Sequence, residues 1–152
     1  MKTWVWILCG AMLLGLGAPE RRLEERRPAA LLYIRRDGEE IRAETDQGDK
    51  GKGDSLREAL QSLQDGASGC VLLDTLEFVV LDAGNEDMQQ QAAKLLHPGA
   101  RICGSQGELS PAAALDYLQV HGRGYSLLKC RQQERGLPVL EKEEEGFRWR
   151  PD

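Results

Sequence analysis

A helix with one apolar stripe needs a surface to lie on, and the residues after it indicate what that surface is. Ser55-Leu56-Arg57-Glu58 has the form of a capping box, the Ser hydroxyl accepting from the Glu58 amide while the Glu side chain reaches back. Leu56, Ala59, Leu60 and Leu63 then fall at i, i+3, i+4 and i+7, with Arg57, Glu58, Gln61 and Gln64 on the opposite side. Asp65-Gly66-Ala67-Ser68-Gly69 breaks the helix. Two continuous apolar runs follow, Val71-Leu72-Leu73 and Phe78-Val79-Val80-Leu81, the pattern of strands or turns buried on both faces. Such a helix packs on such strands, so the stretch predicts an α+β domain.

The flanking segments extend the same layer. Ala30-Leu31-Leu32-Tyr33-Ile34 is strand-like, and Asp37-Gly38 marks a hairpin turn into the alternating Ile41-Arg42-Ala43-Glu44-Thr45. Residues 47–54 are polar and Gly-rich and are expected to form a flexible loop. They do not make a phosphate-binding loop, because Lys52 is followed by Gly53 and not by Ser or Thr. Residues 86–96 put Met88, Ala92, Leu95 and Leu96 on one stripe of a second helix that His97-Pro98-Gly99 stops. Arg101 to Cys103 is short and strand-like. Ser110-Pro111 opens a third helix, with Ser110 expected to cap it through its side chain and Pro111 at the first helical position, Ala114, Leu115 and Leu118 buried, and Gly122-Arg123-Gly124 as its end. Residues 125–135 fit either a polar helix or an edge strand. Pro138-Val139-Leu140 and Gly146-Phe147-Arg148-Trp149 pair as a terminal hairpin around the exposed loop at residues 141–145. The sum is a single domain, residues 30–152, in which a mixed β-sheet packs with about three to four amphipathic helices.

Residues 1–18 read as a targeting segment, with Lys2 as a basic start and an apolar run that ends at Leu16. The run falls short of the roughly 20 residues of a spanning helix, so it is either a secretory signal peptide or an N-terminal anchor. A charged connector at residues 19–29 joins it to the domain. The net charge of −5 and an aromatic content of 5% argue against nucleic acid, which calls for clustered cations and stacking rings. Of the four cysteines, Cys9 lies in the targeting segment. Cys70, Cys103 and Cys130 remain, so at most one disulfide can form, and Cys70 and Cys103 read as small buried hydrophobes.

Chemistry-bearing residues are sparse. His97 and His121 stand at helix ends, where imidazoles commonly cap. Asp74 and Glu77 flank the apolar runs and could act as paired carboxylates only within a cleft. Cys103, His121 and Cys130 lack a zinc-ligand spacing, and Glu143 to Glu145 lacks the tight Gly turn of a calcium loop. No enzyme is expected, and no catalytic, metal-binding or cofactor-binding set. An exported enzyme using Cys103, Cys130 or His121 would need an accessible thiolate of lowered pKa.

The series of segments resembles the N-terminal domain of the Ger(x)C proteins, the C subunits of spore germinant receptors, in a short or truncated form. The matching residues are Arg21-Arg22-Leu23-Glu24, Leu31 to Gly38, Gly53-Asp54-Ser55-Leu56-Arg57-Glu58-Ala59-Leu60 and Leu76-Glu77-Phe78-Val79-Val80-Leu81. Ser110 to Leu118 and Leu137-Pro138-Val139 are similar to a later helix and exit of that family. Cys9 is preceded by Leu8, where lipid-modified members carry a small residue. The resemblance implies a non-enzymatic, exported, membrane-associated subunit. It would act in spore germination with multi-span membrane receptor subunits, at the outer face of the cytoplasmic or spore inner membrane. Such a surface would expose apolar residues, and Phe147 and Trp149 are the candidates, with closure of the domain's own core as their other role. The alternative function is a secreted small-molecule-binding or interaction domain unrelated to germination.

Overall fold

The computed structural model of the protein describes residues 26–82, 86–122, 125–132, 136–144 and 146–150. The targeting segment, the Arg21-to-Glu24 motif and the Gly122-Arg123-Gly124 stop beyond Gly122 lie outside the described residues. In chain order the elements are strands β1 (Arg26–Pro28), β2 (Leu31–Asp37), β3 (Glu40–Thr45) and β4 (Lys50–Gly53), helix α1 (Leu56–Gly66), then strand β5 (Cys70–Leu72) and a 3-10 turn (Leu73–Thr75). There follow β6 (Phe78–Asp82), α2 (Glu86–Leu95), β7 (Arg101–Gln106), α3 (Pro111–His121), β8 (Tyr125–Ser126), α4 (Leu127–Gln132), β9 (Val139–Glu143) and β10 (Gly146–Arg150).

The main sheet runs β10-β9-β7-β6-β2-β3-β4, with β8 paired beside β7. Its centre is parallel, β9 to β7 to β6 to β2, and an antiparallel hairpin closes each side. The fold is therefore α+β, a mixed sheet with helices on both faces. Phe78-Val79-Val80-Leu81 supplies the middle strand, with neighbours on both edges and both faces covered, so all four side chains are buried.

Alternation along the strands divides the interior into two cores. Leu32, Ile34, Ile41, Val79, Leu81 and Ile102 meet α1, α2 and α4 on one face. Leu31, Tyr33, Val80, Cys103 and Leu140 meet Ala114 and Leu118 of α3 on the other. The capping box of α1 forms with a shift of one residue: Ser55 Oγ accepts from the Glu58 amide, and Glu58 Oε2 accepts from the Asp54 amide. Its stripe of Leu56, Ala59, Leu60 and Leu63 is buried as the spacing predicts.

Several local expectations change. The Gly-rich segment is no loop over Lys50–Gly53 but an edge strand in which the two residue types face opposite ways. Lys50 and Lys52 pair with Glu44 and Glu40 at 3.1 and 3.2 Å. Gly51 lies beneath α1, where a Cβ would stand 2.2 Å from the Ala59 carbonyl oxygen, so the helix sits directly on backbone. In the first hairpin the ladder ends at Asp37↔Glu40, and Gly38 alone has positive φ, at 65°, the signature of a turn with Gly at its first central position.

Arg26–Pro28, read as the end of the connector, pairs with β5 in a separate two-stranded sheet, and Arg27 bonds Asp49 at 3.0 Å. Cys70 is exposed there, because it opens a strand of the small sheet and not of the core. Leu95 is exposed, and Ala93 takes its place in the stripe beside Met88, Ala92 and Leu96. Residues 125–132 hold both alternatives in succession, a two-residue strand and then a helix. The last hairpin ladder reaches Glu143↔Gly146, taking in most of the acidic run expected as its loop.

Candidate interaction cleft

The last turn of α3 organises a place where several of the chemistry-bearing residues singled out in the sequence converge. Helix α3 starts at Pro111 on the N-cap backbone of Ser110, whose hydroxyl makes no cap bond, and buries Ala114 and Leu118. It stops at Gly122, where a Cβ would lie 2.5 Å from the Leu118 carbonyl and 3.3 Å from the Phe78 ring. Helix ends leave carbonyls without intrahelical partners. Here Arg101 Nη1 donates to the Gly122 carbonyl at 3.1 Å, and Trp149 Nε1 donates to that of His121 at 3.2 Å. A guanidinium at this end also opposes the negative pole of the helix.

Beside this turn lies a cleft of about 590 Å³ at the amino ends of β6 and β7. Asp74, Thr75 and Glu77 form one wall, His97, Gly99 and Arg101 the second, and Gln119, Val120 and Gly122 the third, over Leu76, Phe78 and Leu118. Some of its donors and bases are bonded inside the fold, Arg101 through one of its five N–H groups. Thr75 Oγ1 donates to the carbonyls of Ala29 and Leu72, and His97 Nδ1 accepts from the Gly99 amide at 3.2 Å. Among the described residues no side chain bonds the carboxylates of Asp74 or Glu77, both of which are exposed.

The structure thus brings the sequence-near pair Asp74 and Glu77 together with His97, which lies well beyond them in the chain. His121 stays outside the cleft lining, its ring 4.7 Å from that of Tyr117. Cys103 is buried in the second core, which pushes its thiol up to about 12 and keeps it a neutral hydrophobe. Burial also raises the Cys130 thiol, against a hydrogen bond with Gln89. Neither is the low-pKa thiolate that cysteine catalysis requires. Among the described residues no three His, Cys, Asp or Glu side chains are placed to hold a metal ion.

Phe147 and Trp149 are half-buried on the second core, with the Phe147 ring 5.6 Å from that of Tyr117. They close the domain against α3 and keep part of their surface in solvent. Val120, in the turn they brace, is 76% exposed. Sequence reading missed it, although the signal was present: Val120 lies two residues past Leu118, on the side of α3 opposite the Ala114–Leu118 stripe.

A second hollow, of about 390 Å³, lies by Tyr33, Arg35, Arg42, Lys50 and Lys52. Its cations are already paired with Glu108, Asp37, Glu40 and Glu44. No described helix is long and apolar enough to cross a membrane. Comparison with protein-family models, with curated proteins and with solved structures finds no match for this chain.

Proposed function

We propose that this chain is a non-enzymatic, exported and membrane-associated subunit that acts in spore germination by assembling with multi-span membrane receptor subunits. One observation carries the interaction part. Val120 is an apolar side chain 76% exposed, in a turn whose last carbonyls accept from Arg101 and Trp149. A single exposed apolar residue is unremarkable, but beside half-buried aromatics and a cleft it is the composition of a protein-binding site. The germination part is supported by the ordered resemblance to the Ger(x)C N-terminal domain.

The test is affinity isolation of the tagged chain from detergent-solubilised membranes of its sporulating host, with mass-spectrometric identification of what accompanies it. Recovery of multi-span membrane proteins is the expected result. Recovery of the chain alone from the soluble exported fraction would refute the proposal. It would favour a secreted small-molecule-binding domain, a reading supported by a cleft volume of about 590 Å³, within the usual range of ligand pockets.

A further inference from the structure

We infer that β1 is a releasable strap, latched by Arg27 on Asp49, whose docking holds the Asp74 and Thr75 wall of the cleft in place. The inference stands apart from the assembly reading and concerns a movement built into the fold. Few bonds tie β1 to the domain. It pairs with β5 over three residues, away from the main sheet, and Pro28 brings no N–H to that ladder. Arg26 and Pro28 are exposed, and the next bond, from the Ala29 amide to the Leu72 carbonyl, is long at 3.5 Å. The latch is firmer but uneven. Arg27 Nη1 donates to Asp49 Oδ1 at 3.0 Å and to Ser68 Oγ at 3.3 Å, just past the end of α1. The Asp49 side chain is only 8% exposed, and no described residue bonds its buried Oδ2. A buried carboxylate oxygen without a donor costs free energy that hydration recovers. Closing β1 therefore gains the ion pair and the burial of Ala29, while opening it gains the hydration of Asp49. These terms oppose one another locally, the condition for a segment that opens without the rest of the fold.

Opening has a hinge and a limit. Just past β1 the amides of Ala30 and Leu31 both donate to Asp46 Oδ1, at 2.9 and 3.0 Å, and the Ala30 carbonyl accepts from the Glu77 and Phe78 amides. The chain is thus pinned at Ala30 and can swing before it. Ala29 lies on the moving side, and its carbonyl accepts from Thr75 Oγ1 at 3.0 Å. Thr75 and its neighbour Asp74 line the cleft, so release of β1 unties that wall while the other two keep their bonds. Residues 1–25 join the domain through β1, so whatever holds that segment acts on the strap first.

The test is amide hydrogen exchange, read by NMR on the 15N-labelled 152-residue chain at increasing urea below the unfolding transition. The amides of Ala29 and Leu76, bonded to the Leu72 and Leu73 carbonyls, are expected to exchange about 100-fold faster than those of Val79 and Val80 and to respond little to urea, as a local opening requires. Ala30 and Leu31, pinned by Asp46, should respond to urea as Val79 and Val80 do. Arg27→Gln should speed exchange at Ala29 and Leu76 by about ten-fold, the scale of one hydrogen bond to a charged group. It should also shift the amides of Asp74 and Thr75 and leave those of Gly99 and Gly122 in place. Asp49→Asn should do the same, and the double variant should add nothing, because either change undoes the one latch. Arg27→Lys, which keeps the charge, should retain most of the protection. Exchange of Ala29 and Leu76 only together with Val79 and Val80 would overturn the strap, as would equal acceleration at every amide in Arg27→Gln. Additive effects of the two changes would overturn the latch. Unshifted Asp74 and Thr75 amides in Arg27→Gln would overturn its hold on the cleft.

Discussion

Two glycines show how differently one residue type is used within the β2–β3–β4 meander. Gly51 has α1 backbone where a Cβ would go, at 2.2 Å from the Ala59 oxygen and 2.3 Å from the Leu63 nitrogen, whereas Gly38 has open space and a φ of +65°. Gly51→Ala must displace a helix and should cost about 3 kcal/mol in urea unfolding, the upper range of overpacking. Gly38→Ala strains only its own backbone and should cost about 1 kcal/mol. The Cys103 thiol offers a test by pH. Its ordinary value is near 9 and burial pushes it to about 12. Below pH 9 both folded and unfolded chains keep the proton, and the benefit of burying the neutral thiol is complete. Above pH 9 the unfolded chain ionises first, so that benefit falls by about 1.4 kcal/mol per pH unit until the folded thiol titrates. The stability gap between the native chain and Cys103→Ala should therefore shrink from pH 8 to pH 10 in paired urea titrations. A gap constant over that range would contradict the burial argument.

At the level of elements, β6 carries both cores on alternate side chains. Val79 faces α1, α2 and α4, and Val80 faces α3, each fully buried. Val79→Ala and Val80→Ala should each cost about 2 kcal/mol, and each variant should still unfold in one transition, because the two cores share every central strand. A variant that melts in two steps would show the faces to be independent. This strand was legible in the sequence because four consecutive apolar residues allow few other placements. The α1 stripe and the Pro111 start were legible because caps and periodicity are local. The edge strand Lys50–Gly53 was not, since its glycines are chosen by the helix above them and polar alternation mimics a loop. The cleft was half legible. Asp74 and Glu77 were visible as a pair, but their meeting with His97 and Val120 depends on how α2 and α3 flank the sheet.

For the whole molecule, the sheet's two hairpins differ in what they leave exposed. The β2–β3–β4 end is laced with paired charges, Lys50, Lys52 and Arg42 against Glu44, Glu40 and Asp37, which also guard its edge against strand addition. The β9–β10 end is braced by Phe147 and Trp149 against α3 and has Val120 and the open carboxylates close by. The account therefore gives the molecule one sticky corner and one inert one. The measurement that tests this most directly is photo-cross-linking in membranes of the sporulating host, with a benzophenone amino acid at position 120 and, as the control, at the exposed hairpin position 39. The account predicts an adduct with a multi-span membrane protein from position 120 and none from position 39. No adduct from position 120, or the same adduct from both, would contradict it.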